Sequence, residues 1–167
     1  MSKRIGSRQT LILTILTNSN TGCWFGKIVK IVTQKIHRKT NGAPDLIDLT
    51  HELHQELKQS GLKQGMMTVF VIGSTAGITT FEYEPGLVKD MARVYEQIAP
   101  SNRRYAHDDT WHDDNGFSHV RAAIQGCSLA VPFEKAKLML GTWQQVVLAD
   151  FDNRPRDRTV VVQMIGQ

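Results

Sequence analysis

The chain has 167 residues, 41% of them hydrophobic and 22% charged, which is enough for one domain with its own core and too few for two comfortable ones. Its formal charge of +4 is carried at one end: residues 1–44 hold eight Lys or Arg and no Asp or Glu, and the remainder has twelve basic against sixteen acidic residues. A mildly acidic folded region lacks the basic stripe of a nucleic-acid binder, and no apolar run approaches the roughly 20 residues that cross a bilayer, so neither nucleic acid nor membrane is expected as a partner.

Lys3, Arg4 and Arg8 ahead of the run Leu11–Leu16 imitate the opening of a signal peptide, but the run is short, broken by Thr14, and followed by no small-x-small cleavage site. Residues 1–28 are therefore expected to be a disordered extension or the product of a mis-assigned start, with Val29 a candidate non-AUG start. The single domain then covers 29–167. Cys23 and Cys127 form neither a disulfide framework nor a CxxC pair and read as reduced thiols of a cytoplasmic protein.

From Val29 to Arg38 β-branched residues dominate, predicting a strand. Asn41-Gly42-Ala43-Pro44 is turn chemistry. Asp48 or Thr50 can cap a helix with Leu49, Leu53 and Leu57 at four-residue spacing, ending near Gly61. Met66–Ile72 has the continuous apolar character of a buried strand. Gly73-Ser74-Thr75-Ala76-Gly77 interrupts it, and Ile78–Tyr83 resumes. Pro85 opens a helix whose stripe is Leu87, Met91, Val94, Tyr95 and Ile98. Residues 100–116 show no regular element. A short helix, Phe117–Gln125, precedes four strands: Ser128–Phe133, Lys137–Leu140, Trp143–Asp150 and Thr159–Ile165. This order predicts an α+β fold with a largely antiparallel sheet.

The segment Tyr105–His119 concentrates three histidines (107, 112, 119) and four aspartates (108, 109, 113, 114). Carboxylates beside imidazoles supply acid–base pairs or metal ligands. The alternative is a solvated acidic loop with incidental histidines, since His-x4-His-x6-His is no established zinc spacing. Glu82 and Glu84 share one face of a strand end, opposite Phe81 and Tyr83. Ser74 and Thr75 offer hydroxyls for an anion, although Gly73–Gly77 lacks the lysine of a P-loop. Arg154, Arg156 and Arg158 read as a solvated turn, with phosphate binding as the alternative. In Gly141-Thr142-Trp143-Gln144, core packing is the default expectation for Trp143.

Together, "GSTAGITTFEYEPGL", "YAHDDTWHDDNGFSHVRAAIQG" and "LMLGTWQQVVLADFDNRPRDRTVVVQMIG" resemble the secondary thiamine-phosphate synthase family, also known as the YjbQ-like family, from about Val29 to Gln167. The resemblance implies an α+β fold with a β-sandwich-like core and flanking helices, assembling as a homotrimer. It matches Glu82, His107, His119, Trp143 and Gln144 to the family's motif residues and sets Asp113-Asp114-Asn115 in the place of its acidic run. With the hydroxyls and the arginine cluster above, the expectation is catalytic roles for Glu82, His107, Asp114 and His119 and substrate contacts from Ser74, Thr75, Trp143, Gln144 and Arg158. His107 and His119 are also candidate ligands of a divalent metal ion. One departure stands out: many relatives begin the small-residue segment with His, where this chain has Gly73, so a three-histidine site lacks its third imidazole unless His112 or an Asp substitutes.

The implied reaction joins a pyrimidine diphosphate to a thiazole phosphate with release of pyrophosphate. Its catalyst must stabilise an anionic leaving group. The partner is then a small phosphorylated substrate. Two other readings use the same residues: a non-catalytic trimeric protein that binds a metal or ligand, and a metal-assisted hydrolase.

Overall fold

The computed structural model describes residues 9–18 and 24–167, and builds them from nine strands and four helices. Strand β1 (Gln9–Asn18) pairs along its length with β2 (Trp24–Lys39), from Gln9 against Thr33 to Asn18 against Trp24. Part of the expected extension is thus a strand, and β2 begins at Trp24 rather than Val29. A hairpin gives the backbone of this Thr-, Ile- and Leu-rich run partners it would otherwise lack. Lys3, Arg4, Arg8 and Cys23 lie outside the described residues.

Two sheets result, and every strand pairing in them is antiparallel. The larger has the order β1-β2-β9-β4-β6-β7, where β4 is Gly65–Ile72, β6 Ser128–Glu134, β7 Lys137–Leu138 and β9 Asp157–Gly166. The smaller has the order β3-β8-β5, from Asp45–Asp48, Gln145–Asp150 and Ala76–Phe81. Four residues between a turn and a helix give β3 too little periodicity to be seen in the sequence.

One apolar core lies between the sheets. Val32, Met67, Val69, Val160 and Val162 meet Ile78, Val146 and Leu148 there. Helix α1 (Thr50–Ser60) adds Leu53 and Leu57, with Leu49 just before it; all three are fully buried. Each such leucine contributes about 1.5–3 kcal/mol of transfer free energy. The Asp48 carboxylate accepts from the Thr50 amide at 2.8 Å, and Gly61 ends the helix in the left-handed region. Strand β4 is not buried on both faces as its apolar run suggests. Met67, Val69 and Val71 point inward, while Met66, Phe70 and Ile72 are 39–51% exposed.

Strand β8 is central in the small sheet and buried on both sides. Val146 and Leu148 face the large sheet; Val147 and Ala149, with Phe151, form a second cluster with Tyr95 and Ala122. Those last two belong to α2 (Pro85–Ile98) and α4 (Gly116–Gln125). Helix α2 starts where Pro85 predicts, and Glu84 caps it by accepting from the amides of Gly86 and Leu87. Glu84 is therefore a cap rather than half of a carboxylate pair. The buried stripe of α2 is Val88, Met91 and Tyr95; Val94 and Ile98 face outward.

Candidate functional site

The loop from residue 100 to 116 is shaped by one aspartate. Asp108 accepts from the Tyr105 amide at 3.1 Å through one carboxylate oxygen and from the Gly116 amide at 2.9 Å through the other. This clamp closes a single helical turn, α3 (Asp108–Trp111), against the start of α4. A Cβ on Gly116 would lie 2.4 Å from that of Tyr105, so glycine is required for the approach. The Tyr105 hydroxyl donates to the Pro100 carbonyl at 2.9 Å. On the buried side of α4, Arg121 donates to the Ala99 carbonyl through Nε (3.0 Å) and Nη2 (2.7 Å), pairs with Glu96, and stacks over Phe117. Helix α4 is thereby fixed to the end of α2.

These ties bring His107 and His119 together, with ring centroids 4.2 Å apart and planes tilted by 40°. Asp113 Oδ1 lies 3.9 Å from His107 Nε2. Burial holds the His119 imidazole below its ordinary range, and the neighbouring His107 adds to this; the charges of Asp113 and Asp152 oppose it. His119 is therefore neutral at pH 7, with one ring nitrogen donating and the other accepting. The unfolded chain takes up this proton more readily, so stability from this group is present above the ordinary imidazole range and is lost as the pH falls through it.

Behind the pair, at the end of the inter-sheet core, lies a buried ionic network. Asp150 shares the inward face of β8 with Val146 and Leu148, and Arg158 shares the inward face of β9 with Val160 and Val162. Arg158 grips Asp150 through Nε (2.7 Å) and Nη2 (2.6 Å). Nη2 also donates to Thr75 Oγ1 at 2.7 Å. The Thr75 hydroxyl donates to Asp152 Oδ2 at 2.8 Å, Thr40 donates to Asp150 at 2.6 Å, and Arg156 Nε lies 2.8 Å from Asp152. Burial pushes the Asp152 carboxyl up, but bonds from Arg156 and Thr75 and the two guanidinium charges outweigh it and leave it below the usual range. Asp152 Oδ1, Asn115 Oδ1 and Ser118 Oγ are buried with no hydrogen-bond partner among the described residues. Such a concentration is expected where a fold contacts something besides itself.

A cavity of about 440 Å³ opens beside this arrangement, lined by Gly73, Ser74, Ala76, His119, Gly126 and Cys127. Of the residues the sequence singles out, the structure therefore joins His107, His119 and Ser74, with Arg158 behind them. Thr75 is buried in the network, so its hydroxyl serves Asp152 and Arg158 rather than a substrate. Arg158 is a buried strand residue, not part of a solvated turn, because alternation along β9 turns it into the core.

The other expected residues stand elsewhere. Asp113, not Asp114, is the carboxylate beside His107; Asp114 has φ +53° and lines a polar cavity of about 520 Å³ with His112, Arg103 and Arg104. Glu82 is exposed just beyond β5. Trp143 is 69% exposed rather than core, and Gln144 donates to Thr80 at 3.0 Å. These three flank the Phe81–Gln145 end of the β5–β8 ladder, while Ser74 and Thr75 flank its Ala76–Asp150 end. The strands between span about 17–20 Å, so one chain does not bring Glu82, Trp143 and Gln144 to the histidines.

The donors in place fall short of a zinc site. Two imidazoles are present, and among the described residues no three His, Cys, Asp or Glu side chains form a group that suits one ion. Zinc sites take three or four protein ligands.

Two antiparallel sheets over a common core, with a histidine pair at one end, define a small α+β protein whose site rests on the loop before α4 and on the end of β8. The chain belongs to the UPF0047 YjbQ-like family, which it matches over residues 34–167. It is 33% identical to a UPF0047 protein of Methanothermobacter thermautotrophicus over 142 residues, 85% of this chain and 97% of that one. Over 130 residues it is 33% identical to the UPF0047 protein YugU of Bacillus subtilis, covering 77% and 95% of the two chains. Among solved structures it is similar to a YbjQ-like protein of unknown function from Sulfolobus solfataricus (TM-score 0.79, 30% identity, 83% and 99% covered). It is also similar to a conserved YjbQ/UPF0047 protein from Clostridium acetobutylicum (TM-score 0.71, 32% identity, 78% and 98% covered). No helix among the described residues is long and apolar enough to cross a membrane.

Proposed function

We propose that the chain is a cytoplasmic transferase of the thiamine-phosphate synthase type, acting on small phosphorylated substrates at the His107–His119 end of the fold. The observation that carries this reading is the imidazole pair, its His119 member desolvated by burial, with Asp113 beside His107 and a cavity lined by Ser74 and His119. In the reaction, a thiazole nitrogen attacks the methylene carbon of the pyrimidine diphosphate. The carbon–oxygen bond breaks and pyrophosphate departs with its electron pair. What the site must supply is stabilisation of that developing anion and orientation of the two rings. Neutral His119 has an N–H to give to the departing oxygen, and His107, held near Asp113, orients it.

A homotrimer belongs to the same proposal. What supports assembly is the uncovered outer face of the large sheet, where Met66, Phe70, Ile72 and Ile165 are 39–51% exposed; an apolar surface of this kind is a usual mark of contact with another chain.

The test is formation of thiamine phosphate by the purified protein from the two half-molecules. His119→Ala is expected to lower the rate by at least about 100-fold, the lower range for a positioned proton donor. Equal rates from the two proteins would remove His119 from the chemistry.

A further inference from the structure

The site has a cation of its own. Arg158 is 93% buried by its exposure of 7%, and its Nε and Nη2 are taken by Asp150 and Thr75. Its third nitrogen, Nη1, accepts no such commitment: none of the hydrogen bonds among the described residues uses it. What lies in front of Nη1 is Gly73. A Cβ built on that glycine would stand 2.9 Å from Nη1 and 4.0 Å from the guanidinium carbon. Gly73 is exposed, has φ +138°, and lines the cavity shared with Ser74 and His119. One edge of a rigidly held guanidinium therefore lies against an exposed glycine that lines the cavity, with no side chain between.

We propose that Arg158, through the opening left by Gly73, is the anion-binding group of this site and holds a phosphate or diphosphate oxygen without a metal ion. The proposal rests on the transferase reading for its substrate but not for its binding chemistry. A guanidinium fixed by two bonds to Asp150 cannot swing away, so its free edge is preorganised for an oxyanion. Ser74 and His119 line the same cavity. Asp150 and Asp152 are balanced by Arg158 and Arg156, so an anion enters a locally neutral network and not an excess of negative charge. With no side chain, Gly73 leaves that edge of Arg158 unblocked.

The experiment is calorimetric titration of the full chain with inorganic pyrophosphate, in EDTA and again with added zinc. Binding in EDTA, unchanged by zinc, is expected. Gly73→Ala places a methyl against Nη1 and is expected to weaken binding at least about tenfold, the loss of one charge-assisted hydrogen bond. Ser74→Ala, which leaves the guanidinium edge open, is expected to weaken it less than Gly73→Ala. Binding that needs zinc, no binding at all, or equal affinity in wild type and Gly73→Ala at an intact melting transition would each overturn the proposal. Pyrophosphate bound in EDTA by a protein that never forms thiamine phosphate would instead end the synthase reading and leave the anion site standing. Thiamine phosphate formed by a protein that binds no pyrophosphate in EDTA would do the reverse.

Discussion

Asp150→Ala is expected to destabilise the fold by about 3–5 kcal/mol, the usual cost of removing one partner from a buried ion pair. Asp150 is fully buried, and Arg158 opposite it is 7% exposed. Removing the carboxylate leaves the guanidinium with Thr75, and with Asp152 at 3.5 Å, as its remaining partners, and takes from the Thr40 hydroxyl its shorter acceptor, leaving the Arg156 carbonyl at 3.3 Å. The effect is read as a lower midpoint in urea unfolding. A paired replacement separates charge from shape: Asp150→Leu with Arg158→Met should recover most of the loss, because no unpaired charge then stays between the sheets. A loss below about 1 kcal/mol in Asp150→Ala would put the pair in the class of surface salt bridges and contradict its placement in the core.

The next residue gives the second large effect. Phe151→Ala is expected to cost about 3–5 kcal/mol, the range for truncating a buried phenylalanine. Its ring is fully buried and meets Tyr95 edge-on at 4.6 Å, which ties α2 to the end of β8. Its amide donates to the Thr75 carbonyl at 2.9 Å. Phe151 also stands between Asp150 and Asp152, one face of the chain filling the helix-side cluster while its neighbours serve the ionic network. Phe151→Leu, which keeps most of the volume, should cost less than half as much. Equal losses from both substitutions would mean that the ring contact with Tyr95, and not filled volume, dominates.

Much of the fold is legible in the sequence because its signals are local. Pro85 and the four-residue spacing of Leu49, Leu53 and Leu57 fix where α2 and α1 lie, since a ring-locked φ and a helical period need no knowledge of the rest of the chain. The misjudged pieces depend on distant partners. β3 exists because β8 pairs with it, and β4 has a bare face because nothing among the described residues covers Met66, Phe70 and Ile72.

The candidate site divides in the same way. His107 and His119 are marked by the density of imidazoles and carboxylates around Tyr105–His119. Asp113 and Asp114 are indistinguishable by type, and only the left-handed backbone at Asp114 decides which one meets His107. Asp152 and Arg158 sit in a segment rich in Asp, Arg, Asn and Pro that reads as a solvated turn. One signal for them was available: Val146–Ala149 is an apolar run ending in Asp150, and a carboxylate at the end of a buried strand needs a cation nearby. Glu82, Trp143 and Gln144 share motifs with the histidine segment, yet the length of the β5–β8 ladder holds them at its other end.

The claim on which the account turns is that His119 is a desolvated imidazole coupled to His107 at a site that receives an anion. Its most direct test is an NMR titration of the histidine side chains, alone and with pyrophosphate. His119 is expected to titrate below the ordinary imidazole value of about 6.5, His107→Ala to raise it by removing a like charge, and pyrophosphate to shift its resonances. An ordinary pKa, unmoved by His107→Ala and blind to pyrophosphate, would contradict that claim.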